Sequence, residues 1–566
     1  MIADDLRARL AAWLAEDPDE RDRAELEALA ADGSEQAAAE LADRFTGRLE
    51  FGTAGLRGAV AAGPNRMNRA VVRATTAALA GWLRGRGRAM VGPRAAEAGV
   101  VIGRDARHRS DEFADEAARV LAGAGIRVHV LPGPQPTPLL AFAVRHLHAA
   151  AGIMITASHN PPADNGYKLY LGDGAQIVPP ADVEIESAIG ALGPLSQITL
   201  APPDSPLIAA LGDEVAAAYL DQICALSPAP PDAEWLRFVY TPLHGVAGPL
   251  ALRAFEQAGF TEPDVVPVQE APDPDFPTVA FPNPEIPGAL DLALAQARRS
   301  GADLVLANDP DGDRLAVAAP DPQAPGGWRM LTGDQVGALL GAYLLGQPTD
   351  SPETRLVVTT IVSSTLLSRI AAAAGAQYAQ TLTGFKWIVR AGDSRPGSRF
   401  VLGYEEALGY SVGQVVRDKD GIGAALALLG LAARARSGGE SLLDAYDALE
   451  TAHGVHLTAQ ITVDTTAPVD VMARLRAAAP SRLGDAAVVS TTDLTGGTWD
   501  LPSADVLSYT LSGARVVIRP SGTEPKIKAY FEVVEPVFSG RLDEARRAAA
   551  ARLEPLREAV RGLLAS

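Results

Sequence analysis

Ser158 stands in the heptapeptide Thr156-Ala157-Ser158-His159-Asn160-Pro161-Pro162, followed by Gly166-Tyr167-Lys168. The apolar run 149–155 ahead of it reads as a short buried strand. Asn160-Pro161-Pro162 ends any continuation, because proline has no N–H and pushes the residue before it out of the helical region. A hydroxyl offered on a rigid loop at a strand end, with an imidazole and an amine at hand, suits an activated nucleophile or a phosphoryl carrier. Read alone, the heptapeptide is equally a Ser/Asn/Pro surface turn.

Asp309, Asp311 and Asp313 alternate within Asn308-Asp309-Pro310-Asp311-Gly312-Asp313-Arg314. Three carboxylates directed into one small space repel unless a cation lies between them. Hard oxygen donors favour magnesium. An EF-hand is excluded, since the glycine and glutamate it requires at its sixth and twelfth positions are here Arg314 and Pro320. A solvated acidic turn is the remaining alternative. Arg519-Pro520-Ser521-Gly522-Thr523-Glu524-Pro525-Lys526 gathers a guanidinium, two hydroxyls and an amine around one glycine. That is the donor set of a phosphate dianion, or else a polar hairpin turn. Glu405 and Glu406 close a strand at 400–402 and could accept hydrogen bonds from vicinal hydroxyls, or form a salt-bridged or solvated pair. The glycine-rich stretch 51–58 carries Arg57, a permanent cation with a planar donor fork. The charge run Arg417-Asp418-Lys419-Asp420-Gly421 is, by itself, a solvated turn.

These loops need strands to carry them. Leu6, Leu10, Trp13 and Leu14 recur at helical spacing, so the chain opens with an amphipathic helix. A strand at 100–102, a helix capped by Ser110 with Phe113, Ala117, Val120 and Leu121 on one face, and a strand at 126–131 form an alternating unit. The pattern repeats with strands at 238–240 and 302–307, separated by the proline-rich loop 272–287. It repeats again with a helix capped by Thr332, strands at 356–361 and 400–402, and a loop at 383–386. The last part is β-rich and closes on a helix at 542–564. The expected fold is α/β: three similar mixed α/β domains (1–205, 206–325, 326–450) and a smaller C-terminal α+β domain (451–566) around a central cleft.

A chain of 566 residues is too long for one core, and at about 150 residues per domain it holds roughly four. With 47% hydrophobic and 21% charged residues it has a globular composition. A formal charge of -19 argues against nucleic acid or an anionic membrane as partner. The longest uncharged apolar run, 421–433, is too short to span a bilayer. The single cysteine, Cys224, excludes an internal disulfide, and the acids Asp4, Asp5, Glu16 and Asp17 are unlike a secretory signal, so a cytoplasmic protein is expected.

Together the serine loop, the Asp-x-Asp-x-Asp-Arg loop and the Ser-Gly-Thr-Glu-Pro loop, in this order and spacing, resemble those of the α-D-phosphohexomutase superfamily, the phosphoglucomutases and phosphomannomutases. The resemblance spans roughly residues 40–535. It implies that Ser158 is a phosphoserine and that Asp309, Asp311 and Asp313 hold Mg2+, which the phosphoserine also ligates. Arg57 would neutralise the transferring phosphoryl group, and Lys168 and His159 would handle protons. Arg519, Ser521, Gly522, Thr523 and Lys526 would grip the phosphate that is not reacting. Glu405 and Glu406 would read sugar hydroxyls, while Arg314, Lys386 and Lys419 would complete the substrate site. The implied reaction is reversible phosphoryl transfer between the 1- and 6-positions of a hexose phosphate, glucose and/or mannose, through a hexose 1,6-bisphosphate. The implied partner is a small sugar phosphate, with monomer and dimer both open. Ala407 stands where many members have serine, and Tyr410 where histidine is frequent, which brings the chain nearer the phosphoglucomutase-2 and phosphopentomutase branch. A phosphopentomutase is therefore the alternative, ahead of a magnesium-dependent sugar phosphatase or a non-catalytic sugar-phosphate-binding protein.

Overall fold

The computed structural model describes residues 4–50, 55–85, 95–231, 233–347, 351–465, 467–521 and 526–565. Residues 51–54 of the glycine-rich stretch, and Gly522 and Thr523 of the expected phosphate loop, lie outside the described residues.

Four sheets organise the chain. The first runs Leu56–Ala59, Asp164–Leu171, Ala151–Ile155, Val100–Arg104, Val128–Val130, Ile208–Ala210. Its last four strands are parallel and its first two join antiparallel. Ala151–Ile155 is buried throughout, as a strand covered on both faces must be. Alternate residues of Val100–Arg104 enter different cores: Val101 joins one cluster, Val100 and Ile102 another. The second sheet, ordered Trp328–Leu331, Leu315–Pro320, Leu304–Asn308, Phe238–Thr241, Asp264–Val265, and the third, ordered Gln377–Thr381, Arg355–Thr360, Arg399–Glu405, Gly409–Val412, have the same plan. In each of the three, a parallel strand turns back into an antiparallel neighbour. The fourth sheet is antiparallel and is backed by the helix Leu542–Ala565.

The first three units share one apolar core. Phe142, Tyr219, Leu250, Leu306, Leu339 and Leu426 belong to a single cluster. Its centre is the helix Gly421–Ser437, buried over most of its length, which explains an apolar run too short for a bilayer. Among the described residues no helix is long and apolar enough to cross a membrane. The fourth unit has a separate core and meets the third through a small cluster that includes Ile361, Val362, Val517 and Tyr530.

Several expectations are corrected by pairing and packing. A boundary at 205 cuts off Ile208–Ala210, which pairs with Val128–Val130. A boundary at 325 removes Trp328–Leu331 from the hairpin it forms with Leu315–Pro320. A boundary at 450 falls inside the helix Leu442–His453. Proline and glycine richness marked the loops correctly but could not reveal which sheet the next strand joins. Ser110 is not a cap: Arg109 occupies that position, and the Ser110 hydroxyl donates to Asp105 instead. The expected loop at 383–386 runs into the helical turn Phe385–Ile388. The charge run 417–421 is not a solvated turn, since Asp418, Lys419 and Asp420 are buried. Thr332 does cap its helix, in a capping box with Gln335.

Asp420 caps the central helix, accepting from Ile422 N and Gly423 N, and from the Tyr219 hydroxyl at 2.8 Å. Burial pushes its carboxyl up to about 6. Because the folded value is raised above the unfolded 3.8, the stability this group contributes is present at low pH and lost as pH climbs toward 6. Asp420→Asn keeps an acceptor for all three donors without the charge. Melting curves should show the variant gaining on the parent as pH rises from about 4 to about 7, with the capping bonds retained.

Candidate active site

The serine loop joins Ala151–Ile155 to Asp164–Leu171. Ser158 is buried and adopts φ 53, a left-handed conformation that a side-chain-bearing residue needs help to hold. The help comes from Arg107. Its guanidinium donates to the carbonyls of Ser158 and Asn160 at 2.6 Å, Pro161 at 2.7 Å and Asp164 at 3.1 Å. Asp105 faces Arg107 at 3.3 Å, both side chains being almost wholly buried. The Ser158 hydroxyl donates to Asp309 Oδ2 at 2.9 Å and lies 3.2 Å from His159 Nδ1. Burial, with the charges of Arg314 and Arg57 nearby, holds the His159 pKa well below the ordinary imidazole value, so its ring is neutral near pH 7.

The aspartate loop lies between Leu304–Asn308 and Leu315–Pro320. Asp309, Asp311 and Asp313 are each 0% exposed, and one oxygen of each lies within 4.8 Å of the others. Gly312 permits the turn between them: its φ is 73, and a Cβ there would stand 2.9 Å from the Ala247 side chain. Charge compensation comes from other units. Lys168 Nζ reaches Asp311 at 2.6 Å and Asp313 at 3.1 Å, and Lys419 Nζ reaches Asp313 at 3.1 Å. Thr137 donates its hydroxyl to Asp311 Oδ2 and its N–H to the Asp311 carbonyl. Burial and its two acidic neighbours drive the Asp309 carboxyl well above its usual range. Burial also opposes ionisation of Asp311, but Lys168 and Thr137 outweigh it and keep that group ionised.

Two oxygens, Asp311 Oδ1 and Asp313 Oδ1, are buried with no hydrogen-bond partner among the described residues. Unpaired buried carboxylate oxygens beside a third carboxylate fit a hard divalent cation. The residues present are therefore a suitable Mg2+ donor set.

Arg57, on Leu56–Ala59, is half-buried, and its Nη1 lies 3.4 Å from Asn160 Oδ1. Arg314 pairs with Glu285 at 3.0 Å and is bridged through its backbone to Gly409, which ties the aspartate loop to the turn carrying Glu405. Burial raises the Glu405 carboxyl, against the pull of Lys419 and Arg314. Burial, with Glu405 beside it, pushes Glu406 up to about 7. Glu406 accepts from Thr360 and Ser363 at 3.3 and 3.2 Å, and the charge of Arg519 acts on it. Arg519 itself lies over the Tyr530 ring, 5.7 Å from its centroid. Ser521 N donates to the Lys526 carbonyl, closing the loop whose middle lies outside the described residues. Lys526 stands 4.0 Å from Asp464.

Lys386 is placed apart, 5.8 Å from the Trp387 ring centroid and within the field of Asp182. Among the described residues no hydrogen bond or ion pair joins it to the aspartates. Tyr410 is fully buried against Tyr404. Arg107, Thr137 and Asp418 were missed by sequence reasoning. Asp418 orients the Lys419 segment by accepting from Tyr170 and Gln176. The Arg104-Asp105-Ala106-Arg107 sequence after a strand was the available signal for the first of these.

Phosphoglucomutase/phosphomannomutase family models match in series: alpha/beta/alpha domain I at residues 48–193, domain II at 217–323, domain III at 332–451 and the C-terminal domain at 461–548. The chain belongs to this family. It is a phosphomutase, an intramolecular phosphotransferase, near the phosphopentomutase-like branch of the α-D-phosphohexomutase superfamily. A Haemophilus influenzae protein named "Probable phosphomannomutase" is 40% identical over 476 residues, covering 82% of this chain and 93% of that one. The Homo sapiens phosphopentomutase is 35% identical over 567 residues, covering 93% and 91%. The solved structure of a Burkholderia thailandensis phosphoglucomutase/phosphomannomutase family protein shares the fold, with a TM-score of 0.66 at 23% identity over 89% of this chain and 97% of that one.

Two outcomes follow from the geometry. Mg2+ at about a hundredfold over its Kd should stabilise the chain by about 2.7 kcal/mol in thermal melts, and Asp313→Ala should abolish that shift. Arg107→Ala should cut kcat by about 100-fold through the displaced serine loop, and leave Asp105 unpaired at a cost of about 3–5 kcal/mol in denaturant unfolding.

Proposed function

We propose that this phosphomutase interconverts the 1- and 6-phosphates of a hexose, glucose and/or mannose, with Ser158 as the phosphoryl carrier. The observation that carries the reading is the Ser158 hydroxyl, 2.9 Å from Asp309 and beside a neutral His159. In the forward half-reaction the sugar hydroxyl attacks the phosphorus of phospho-Ser158 and gives its proton to His159, the P–Oγ bond breaks, and the leaving Ser158 oxygen takes a proton from the His159 ring beside it. The product is a hexose 1,6-bisphosphate. In the second half, the Ser158 hydroxyl attacks the other phosphoryl group and gives its proton to His159, the bond from phosphorus to the sugar oxygen breaks, and the proton passes to that oxygen.

A magnesium ion held by Asp309, Asp311 and Asp313, with Ser158 completing the set, would supply charge neutralisation to the transferring group. Arg57 adds a fixed cation from the opposite strand. Lys168, committed to Asp311 and Asp313, supplies charge rather than the proton. Glu405 and Glu406 accept from sugar hydroxyls. Arg519, Ser521, Gly522, Thr523 and Lys526 hold the phosphate that is not reacting, and Lys419 and Arg314 raise the potential for it. Lys386 enters this set only as a contributor of long-range positive potential.

A pentose 1-phosphate is the second reading. Beside Glu405 and Glu406, Ala407 and the buried Tyr410 add no accessible polar side chain to the sugar loop. Initial rates with glucose, mannose and ribose 1-phosphates, measured side by side with Mg2+ and a trace of glucose 1,6-bisphosphate, decide between them. The hexose reading expects the fastest turnover with a hexose and no inorganic phosphate. Fastest turnover of ribose 1-phosphate makes the enzyme a pentomutase, and release of inorganic phosphate alone would sink both. Ser158→Ala should lose at least about 1,000-fold in kcat.

A further inference from the structure

The helices Asp4–Glu16, Glu20–Asp32 and Glu35–Arg44 precede the first residue matched by the family models, residue 48. They have a small core of their own, built on Leu6, Leu10, Leu26, Leu41 and Phe45. Three acids are nonetheless buried here: Asp17, Asp19 and Asp22. Asp17 is used inside the segment, accepting from Trp13 Nε1 and Asp19 N. Asp19, which also caps the second helix and accepts from Arg21, and Asp22 both meet a residue of the first α/β unit. Arg109 donates Nη1 to Asp22 Oδ1 and Nη2 to Asp19 Oδ2, both at 2.6 Å, and Nε to Glu112 at 3.0 Å. Buried carboxylates are costly unless paired in this way, so the two acids and the guanidinium fork determine where Arg109 lies. Its backbone has φ 61, again left-handed for a residue with a long side chain.

Arg109 lies at the end of the turn 105–109, two residues after Arg107 and just before the helix that starts at Ser110. The turn is cross-braced: Ser110 Oγ donates to Asp105 at 2.7 Å, and Asn165 Nδ2 donates to Ser110 Oγ and to the His108 carbonyl. Arg107 gathers the four carbonyls that shape the Ser158 loop. Short polar contacts, joined through the backbone of that turn, therefore run from the N-terminal helices to the backbone of the serine. Its chemistry is charge-assisted hydrogen bonding at almost every link, the kind least tolerant of displacement.

We infer that the N-terminal helices are a clamp on the serine loop, and that Asp19, Asp22 and Arg109 are positioning residues for phosphoryl transfer. The inference rests on Ser158 being the phosphoryl carrier. The clamp holds Arg107, and through it the Ser158 oxygen, at the distance from the acidic loop that transfer requires. It also keeps the loop closed against water. A loosened loop lets water attack the phosphoserine: the water oxygen bonds to phosphorus, the P–Oγ bond breaks, a proton passes to the Ser158 oxygen, and inorganic phosphate leaves.

The test uses the full chain. In the double variant Asp19→Asn/Asp22→Asn, kcat on the fastest sugar 1-phosphate should fall about tenfold while KM stays within about twofold. Loss of phosphate from phospho-Ser158 without substrate, followed by intact mass, should accelerate by a similar factor. Arg109→Lys retains a cation but cannot bridge both carboxylates, and it should show the same split in smaller measure. A folded double variant with kcat within about twofold of the parent overturns the clamp, as does a fall in kcat that only tracks the folded fraction. If the double variant does not fold, Arg109→Lys decides by the same criterion. If the parent takes no phosphoryl group from glucose 1,6-bisphosphate, the carrier role of Ser158 is lost, whereas the comparison of kcat and KM still decides whether these residues position the site.

Discussion

Asp309, Asp311 and Asp313 bury three carboxyl groups within one turn of chain, an arrangement that survives only where cations and donors converge on it. They arrive from different units. Lys168 and Thr137 belong to the first α/β unit and Lys419 to the third. The Ser158 hydroxyl points at the same acids. Satisfying this one loop therefore sets how three units meet, and the shared apolar core around Gly421–Ser437 makes that meeting rigid. The same carboxylates that demand compensation in the folded chain form the donor set for a divalent cation, so structural constraint and chemical capacity have one origin.

The three α/β units reach the site by one device. In each, a buried parallel strand ends in a turn and returns antiparallel: Ala151–Ile155 into Asp164–Leu171, Leu304–Asn308 into Leu315–Pro320, Arg399–Glu405 into Gly409–Val412. The serine loop, the aspartate loop and the glutamate turn are equivalent turns of equivalent hairpins. Loops at the carboxyl ends of parallel strands collect where ligands bind in such folds, and three copies of the hairpin aimed at one point supply three kinds of side chain. The bridge between Arg314 and Gly409 shows two of these turns held together by backbone contact.

The fourth unit is attached differently. Its core is its own, and its polar seam with the third unit is concentrated on Glu532. That carboxylate accepts from Ser364, Thr365, His456 and Arg515, while Arg515 also donates to the carbonyls of Ile361 and Ser363. Ser363 and Thr360 in turn donate to Glu406. The segment 360–365 thus connects the strand bearing Arg519 to the turn bearing Glu405 and Glu406. With the N-terminal helices acting on the serine loop from the far side, the reactive loops are held from outside as well as from within.

The sequence by itself determined the chemistry of each loop and the class of element behind it. Ser158 before two prolines, alternating aspartates after an apolar strand, and a Ser-Gly-Thr between strands are contiguous patterns, and contiguous patterns carry local physics. Tertiary structure alone decided which residues complete the site. Arg107 and Ser158, Thr137 and Asp311, and Asp19 and Arg109 are far apart in the chain, and their meeting depends on strand order and on how units pack. The same dependence explains why strands at 208–210 and 328–331 lay on the wrong side of expected boundaries, and why three of the four charged residues at 417–420 are buried rather than solvated. A charge is placed in water or in the interior by the partners that surround it, and those partners are brought by the fold rather than by neighbouring letters.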